Sequence, residues 1–207
     1  RALLEQGEDL DLEQGAFLLA QMEYPRLKRK DISDPLDKIA LAVDKAIAEE
    51  EPLPTRPIHA MRRYLFENQK FRGNEKNYGD PKNLFLNHVL KTKLGIPISL
   101  SCIYLFVAWR LKLLVHGVGL PGHFIVGHRV PRGVVYIDPF GGGRILRTKD
   151  CEVLVRRLGM PFRQSYLDPT SNIQILARMV VNLINFYTDQ GQTVRAHWLA
   201  KLFQLVR

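Results

Sequence analysis

A chain of 207 residues, 46% hydrophobic and 25% charged, has room for one domain with a sizeable core, or for a domain with a short appendage. The longest apolar run, around residues 100–108, is too short to span a bilayer, and no basic-then-apolar leader follows Arg1, so no membrane helix and no signal peptide are expected. The two cysteines, Cys102 and Cys151, make neither a disulfide framework nor a CxxC metal spacing, which points to a reducing, cytoplasmic setting, while the net charge of +9 invites an acidic partner or simply keeps the chain soluble.

The first half reads as helices. Leu10, Leu12, Ala16, Leu18, Leu19 and Met22 suit a first one. Asp34-Pro35 carries the cap-then-proline signal of a second, continued by Leu36, Ile39, Ala40, Val43, Ala46 and Ile47. Pro52, Pro54 and Pro57 break it. A third helix holds Met61, Tyr64, Leu65 and Phe66, and residues 71–80 read as a loop. Asp80-Pro81 opens a fourth helix through Leu90. Pro97 starts a fifth that is apolar on nearly every face and therefore forms the buried centre.

The pattern then changes to strands at 113–118, 123–130 and 134–138, with Pro131-Arg132-Gly133 as the last turn. The glycines 141–143 read as a bend that needs positive φ, since the run lacks a phosphate-loop Lys-Ser/Thr. Thr148 caps a further helix, which Gly159 ends. From Ile173 the chain returns to helix. Asn182, Leu183, Tyr187, Gly191 and Ala196 fit the skeleton of one tetratricopeptide-like helix pair. A lone repeat cannot bury its own face, so it packs on the core or the natural chain continues past Arg207.

Chemistry is expected around His123 and Asp138. A hairpin with a two-residue loop sets Asp138 opposite Ile125, and side-chain alternation gives Ile125 the same face as His123. Asp138 is then a diagonal neighbour able to orient the imidazole, the orienter-and-base half of a triad. The third member should come from the start of the Pro97 helix, where N–H groups favour an anion.

The arrangement resembles the transglutaminase-like superfamily, which shares its core with papain-type cysteine proteases, and most of all its SirB-type branch. The matching stretches are Phe71-Arg72-Gly73-Asn74, Tyr78 with Asp80-Pro81, and Asn83 with Phe85-Leu86-Asn87. Gly95-Ile96-Pro97-Ile98-Ser99-Leu100-Ser101, Gly117-Val118-Gly119-Leu120-Pro121-Gly122-His123-Phe124, and Ile137-Asp138-Pro139-Phe140 with Gly142-Gly143 complete them. The resemblance implies an α+β fold: a helical N-terminal half packed on a small antiparallel sheet, residues 1–168, followed by a tetratricopeptide-like helix pair, residues 169–207.

It also implies a Cys at the start of the central helix, a His on the next strand and an Asp on the one after. His123 and Asp138 match; the Cys position falls on about Pro97, which has no nucleophilic atom. Ser99, Ser101 and Cys102 are the nearest substitutes, with Ser99 and Cys102 as the candidate displaced nucleophiles. Leu84 and Phe106 stand where the family usually carries Ser and often carries Glu. Asn83, Asn87 and Gly122 are candidate substrate contacts. The leading expectation is a domain without the standard nucleophile that binds a protein or peptide in the old cleft. The alternative is an amide hydrolase or acyltransferase built on His123, Asp138 and a displaced Ser or Cys.

Plainer readings stand beside these. His123 and Asp138 can be an inherited structural pair, and Cys102 a core residue. Cys151, in a first helical turn, gains some thiolate character from the dipole or is an ordinary buried thiol. His116, His123, His128 and Asp138 could suggest zinc, but His128 falls on the opposite strand face from His123, so no metal and no cofactor are expected. The basic clusters at Arg26, Lys28, Arg29 and Lys30, at Arg62 and Arg63, and at Arg156 and Arg157 permit nucleic-acid binding, though a solvated surface is the preferred reading. The sequence does not name the partner or the oligomeric state.

Overall fold

The computed structural model describes residues 10–49 and 52–204. The expectation that no signal peptide opens the chain concerns residues outside that range. Helix α1, Leu12–Glu23, starts where the Asp11 carboxylate accepts the Gln14 N–H at 2.9 Å. Helix α2, Lys30–Glu49, differs from the sequence expectation: Pro35 lies inside it rather than at its start. The Asp31 carboxylate accepts the Lys28 N–H at 2.8 Å and helps to fix the opening turn. An interior proline costs about 3 kcal/mol. Starting at Lys30 adds Ile32 to a buried stripe with Leu36, Ile39, Ala40 and Val43, and one such side chain contributes about 1.5–3 kcal/mol.

Pro57 falls in the first turn of α3, Arg56–Arg62, so it opens a helix as well as following a break. A π-helical turn, Arg63–Asn68, continues α3. The segment expected as a loop contributes β1, Arg72–Gly73, which pairs in parallel with β2, Leu94–Gly95. The fourth helix is split. Asp80 caps a 3-10 turn, Pro81–Asn83, by accepting the Lys82 N–H at 2.9 Å, and α4 runs Leu86–Thr92. Helix α5, Pro97–Arg110, is buried from Pro97 through Ala108.

Five strands form one antiparallel sheet, in the order β6-β5-β4-β3-β7. They are β3 Val115–Val118, β4 Ile125–Val130, β5 Gly133–Asp138, β6 Arg144–Leu146 and β7 Pro169–Thr170. Val126 pairs with Ile137 and Val130 with Gly133, so the β4–β5 loop has two residues and the register runs on to set Ile125 opposite Asp138. His123 itself lies before β4, in a turn, because Gly122 adopts φ +65° and the His123 N–H closes on the Leu120 carbonyl at 3.1 Å.

Helix α6, Thr148–Arg156, has Arg147 rather than Thr148 at its N-cap position, and the Arg147 N–H donates to the Asp150 carboxylate at 2.8 Å. Helices α7, Asn172–Asp189, and α8, Thr193–Gln204, form a hairpin. Alternation along the sheet separates two apolar layers. Phe124, Val126 and Ile137 join α1–α5, α7 and α8 in the main core. Ile125, Tyr136 and Leu146 face Cys151 and Val155 of α6 on the other side. The fold is therefore α+β, with helices over both faces of a small sheet. Among the described residues no helix is long and apolar enough to cross a membrane.

Candidate active site and cleft

The centre of the site is the turn Leu120-Pro121-Gly122-His123. Arg178 of α7 clamps it, with Nη2 donating to the Leu120 and His123 carbonyls at 2.8 Å each. A side chain at Gly122 would run into Leu158, besides needing the left-handed backbone. Phe124 is buried under the Arg178 guanidinium, 5.5 Å from its ring centre, and its carbonyl accepts the Ser101 hydroxyl at 3.3 Å.

Asp138 ends β5 with its side chain 4% exposed. The chain bends back over it through Gly142, φ +70°, and Gly143, φ +75°, and the Asp138 carbonyl accepts the Gly143 N–H at 2.8 Å. Its Oδ1 meets His123 Nε2 at 2.9 Å and accepts the Gly141 N–H at 3.1 Å; Oδ2 accepts from Arg144 Nη2 at 3.4 Å. Burial pushes the Asp138 carboxyl up, but His123, the Gly141 N–H and Arg144 together outweigh it and hold it below its usual range. An ionised Asp138 requires a proton on Nε2, so in the neutral imidazole Nδ1 is the acceptor. The ring also sets its edge against Phe140, 6.0 Å between centres.

His123 opens on a cleft of about 150 Å³. Pro97 and Ile98, the first residues of α5, form one wall; Gly122 and Phe124, Tyr78, and Arg178 and Asn182 of α7 form the others. Neither Ser99 nor Cys102 belongs to that lining. The Ser99 hydroxyl is fully buried, donates to the Asn83 carbonyl at 2.6 Å and accepts the Ile96 N–H at 3.1 Å, so it caps α5. Cys102 is fully buried, and burial pushes its thiol up to about 12, which leaves no thiolate at neutral pH. Cys151 gains no thiolate character either: burial first, then Asp150 and Asp138, push it up to about 11.

The asparagines divide. Asn83 accepts from Asn74 Nδ2 at 2.8 Å and donates to the Asn77 carbonyl at 2.6 Å, so it organises the loop that carries Tyr78. Asn87 lies outside the cleft lining, and its buried Oδ1 has no hydrogen-bond partner among the described residues. Of the three expected contacts, only Gly122 borders the cleft. His128 packs edge-on to Tyr104, 5.8 Å between centres, and burial lowers its pKa to about 4. Among the described residues no three His, Cys, Asp or Glu side chains gather as a metal site would require.

Arg178 is not among the residues expected at the site, and Asn182 is expected only as part of the tetratricopeptide-like skeleton. The available signal was their spacing: four residues apart, they share one face of α7.

Residues 30–181 match the family model described as "Transglutaminase-like superfamily". A UPF0162 protein of Xylella fastidiosa is 36% identical over 195 residues, which span 91% of this chain and 69% of that protein. The human F-box only protein 21 is 31% identical over 160 residues, 72% of this chain but 25% of the human protein. A UPF0162 protein of Pseudomonas aeruginosa is 34% identical over 119 residues, 56% of this chain and 43% of the relative. No solved structure matches. With most of its length matched by the family model and by a relative of this similarity, the chain belongs to the transglutaminase-like superfamily.

Proposed function

We propose that this domain works by holding a protein or peptide segment in the cleft beside His123, without transferring an acyl group. The observation that carries this reading is the residue opposite the imidazole. Acyl transfer needs a nucleophile within reach of the base, and the start of α5 presents Pro97 and Ile98 there. Ser99 and Cys102 are committed to the helix cap and the core. The domain would be a SirB-type, cytoplasmic module, and α7–α8 a single tetratricopeptide-like pair offering a second contact surface.

The test is a peptide-display selection against the folded domain. The ligands it yields should lose about ten-fold or more in affinity for His123→Ala. Ligands indifferent to that change would refute the cleft as the binding place.

One observation favours a second reading, an amide hydrolase or acyltransferase: the His123 Nε2 to Asp138 Oδ1 distance of 2.9 Å is that of a working base and its orienter. That reading requires release of ammonia or amine from glutamine-containing peptides, abolished by His123→Ala in a folded protein. Turnover that survives the substitution would exclude it.

A further inference from the structure

The cleft beside His123 holds a cation that the chain itself does not balance. Arg178 uses Nη2 on two backbone carbonyls, and Nε and Nη1 have no acceptor among the described residues. The carboxylate of the neighbouring pair, Asp138, is occupied by His123, Gly141 and Arg144. The titratable group that acts on Arg178 is the Tyr78 phenol, which is neutral at physiological pH. Burial pushes the Arg178 pKa down, the mark of a guanidinium partly stripped of water. Two carbonyls and the Phe124 ring offset part of that cost, and the Nε–H and Nη1–H groups remain free to donate to an acceptor in the cleft.

Everything else around it suits an anion as well. Asn182, one turn further along α7, lines the same cleft with Tyr78. Among the described residues neither the Asn182 amide nor the Tyr78 hydroxyl has a hydrogen-bond partner. Helix α5 begins at Pro97 in the cleft wall, so the positive end of a helix of 14 residues borders the space.

We propose that this cleft is a carboxylate-binding subsite, with Arg178 as the charged anchor, Asn182 and Tyr78 as neutral donors, and His123 at its rim. The proposal rests on the cleft-binding reading above and names the group that is bound. One cation among neutral donors balances one negative charge, which fits a carboxylate rather than a phosphate dianion. A volume of about 150 Å³ equals roughly five waters, enough for one small residue with its carboxylate. Two sources supply that chemistry: the free terminus of a polypeptide, and an Asp or Glu side chain.

The experiment uses the full chain, 15N-labelled, with three peptide probes: N-acetyl-Ala-Ala as the free acid, its C-terminal amide, and N-acetyl-Asp-amide. Inorganic phosphate is a fourth ligand. The expected result is saturable shifts of the Arg178 Nε–H and His123 ring signals with an acid, and binding about ten-fold weaker or more with the neutral amide. Whichever acid binds identifies the source. Arg178→Met should abolish the preference for acid over amide. Because that change also removes the clamp on the His123 turn, Asn182→Ala is the second variant; it leaves the clamp intact and should weaken the acid several-fold.

Equal binding of acid and amide would overturn the carboxylate inference while leaving the cleft-binding reading standing. Phosphate binding more tightly than either acid would overturn it in the same way. No binding of any probe up to about 20 mM would overturn both.

Discussion

Replacing Asp138 with Asn tests the centre of the site directly. The carboxylate is 96% buried by side-chain area and receives three donors. The His123 bond contributes about 1.5 kcal/mol and the Gly141 N–H about 1 kcal/mol. Arg144 is 59% exposed and 3.4 Å away, so screening reduces it to about 0.5 kcal/mol or less. Of this total near 3 kcal/mol, Asn keeps its Oδ1 on His123 and Gly141 but as neutral bonds about half as strong, and turns an amide N–H toward Arg144, for an expected loss of about 2 kcal/mol. Urea unfolding monitored by tryptophan fluorescence measures it, and a melting temperature lower by about 4–8 °C should accompany it. The folded carboxyl is held below its unfolded value, so its contribution is present above the unfolded pKa of about 3.9 and lost as pH falls through the folded one. The gap between wild type and Asp138→Asn should persist from about pH 5 upward and close below about pH 4. A gap under about 0.5 kcal/mol at pH 7, or one unchanged at pH 3, would refute this account.

Ser99→Ala should cost about 1–2 kcal/mol by removing the α5 cap and should leave cleft binding intact; a stable variant that loses only binding would return Ser99 to the site. Gly143→Ala combines a left-handed backbone with a collision against the Phe66 ring and should destabilise by about 2–4 kcal/mol in the same unfolding assay; a neutral result would mean the bend over Asp138 relaxes freely. Iodoacetamide at pH 8 should leave Cys102 and Cys151 unmodified until urea unfolds the chain; native labelling of Cys102 at the unfolded rate would contradict its burial.

What the sequence revealed depended on range. Helix α5 announces itself by continuous apolarity after Gly95-Ile96-Pro97, and the turn signal at Pro131-Arg132-Gly133 marks the hairpin of β4 and β5, whose two-residue loop the sequence supports as an assumption and the pairing of Val130 with Gly133 bears out. The nearness of His123 to Asp138 followed from that register even though His123 stands in a turn. The proline signal at Pro35 misplaces the helix start because the helix continues one turn N-terminal of it, where Ile32 joins the buried stripe and offsets much of the proline's cost. Strands β1, β2 and β7 have two residues each, too few for any periodicity. Arg178 was invisible for a different reason. Its partners, the carbonyls of Leu120 and His123, are backbone groups more than fifty residues away, and a composition of scattered arginines does not mark which one turns inward.

The clamp of Arg178 on the His123 turn also orders events in time. On a ribosome the His123–Asp138 pair is complete when Asp138 emerges, yet the wall that Arg178 and Asn182 supply lies about forty residues further along. At about 5–20 residues per second the nascent chain spends roughly 2–8 s with the imidazole turn unbraced and its cleft open along one side. The α7 wall of the cleft is thus made only after the sheet is complete, and a chain interrupted between β7 and the middle of α7 would carry the paired His and Asp with that side of the cleft open.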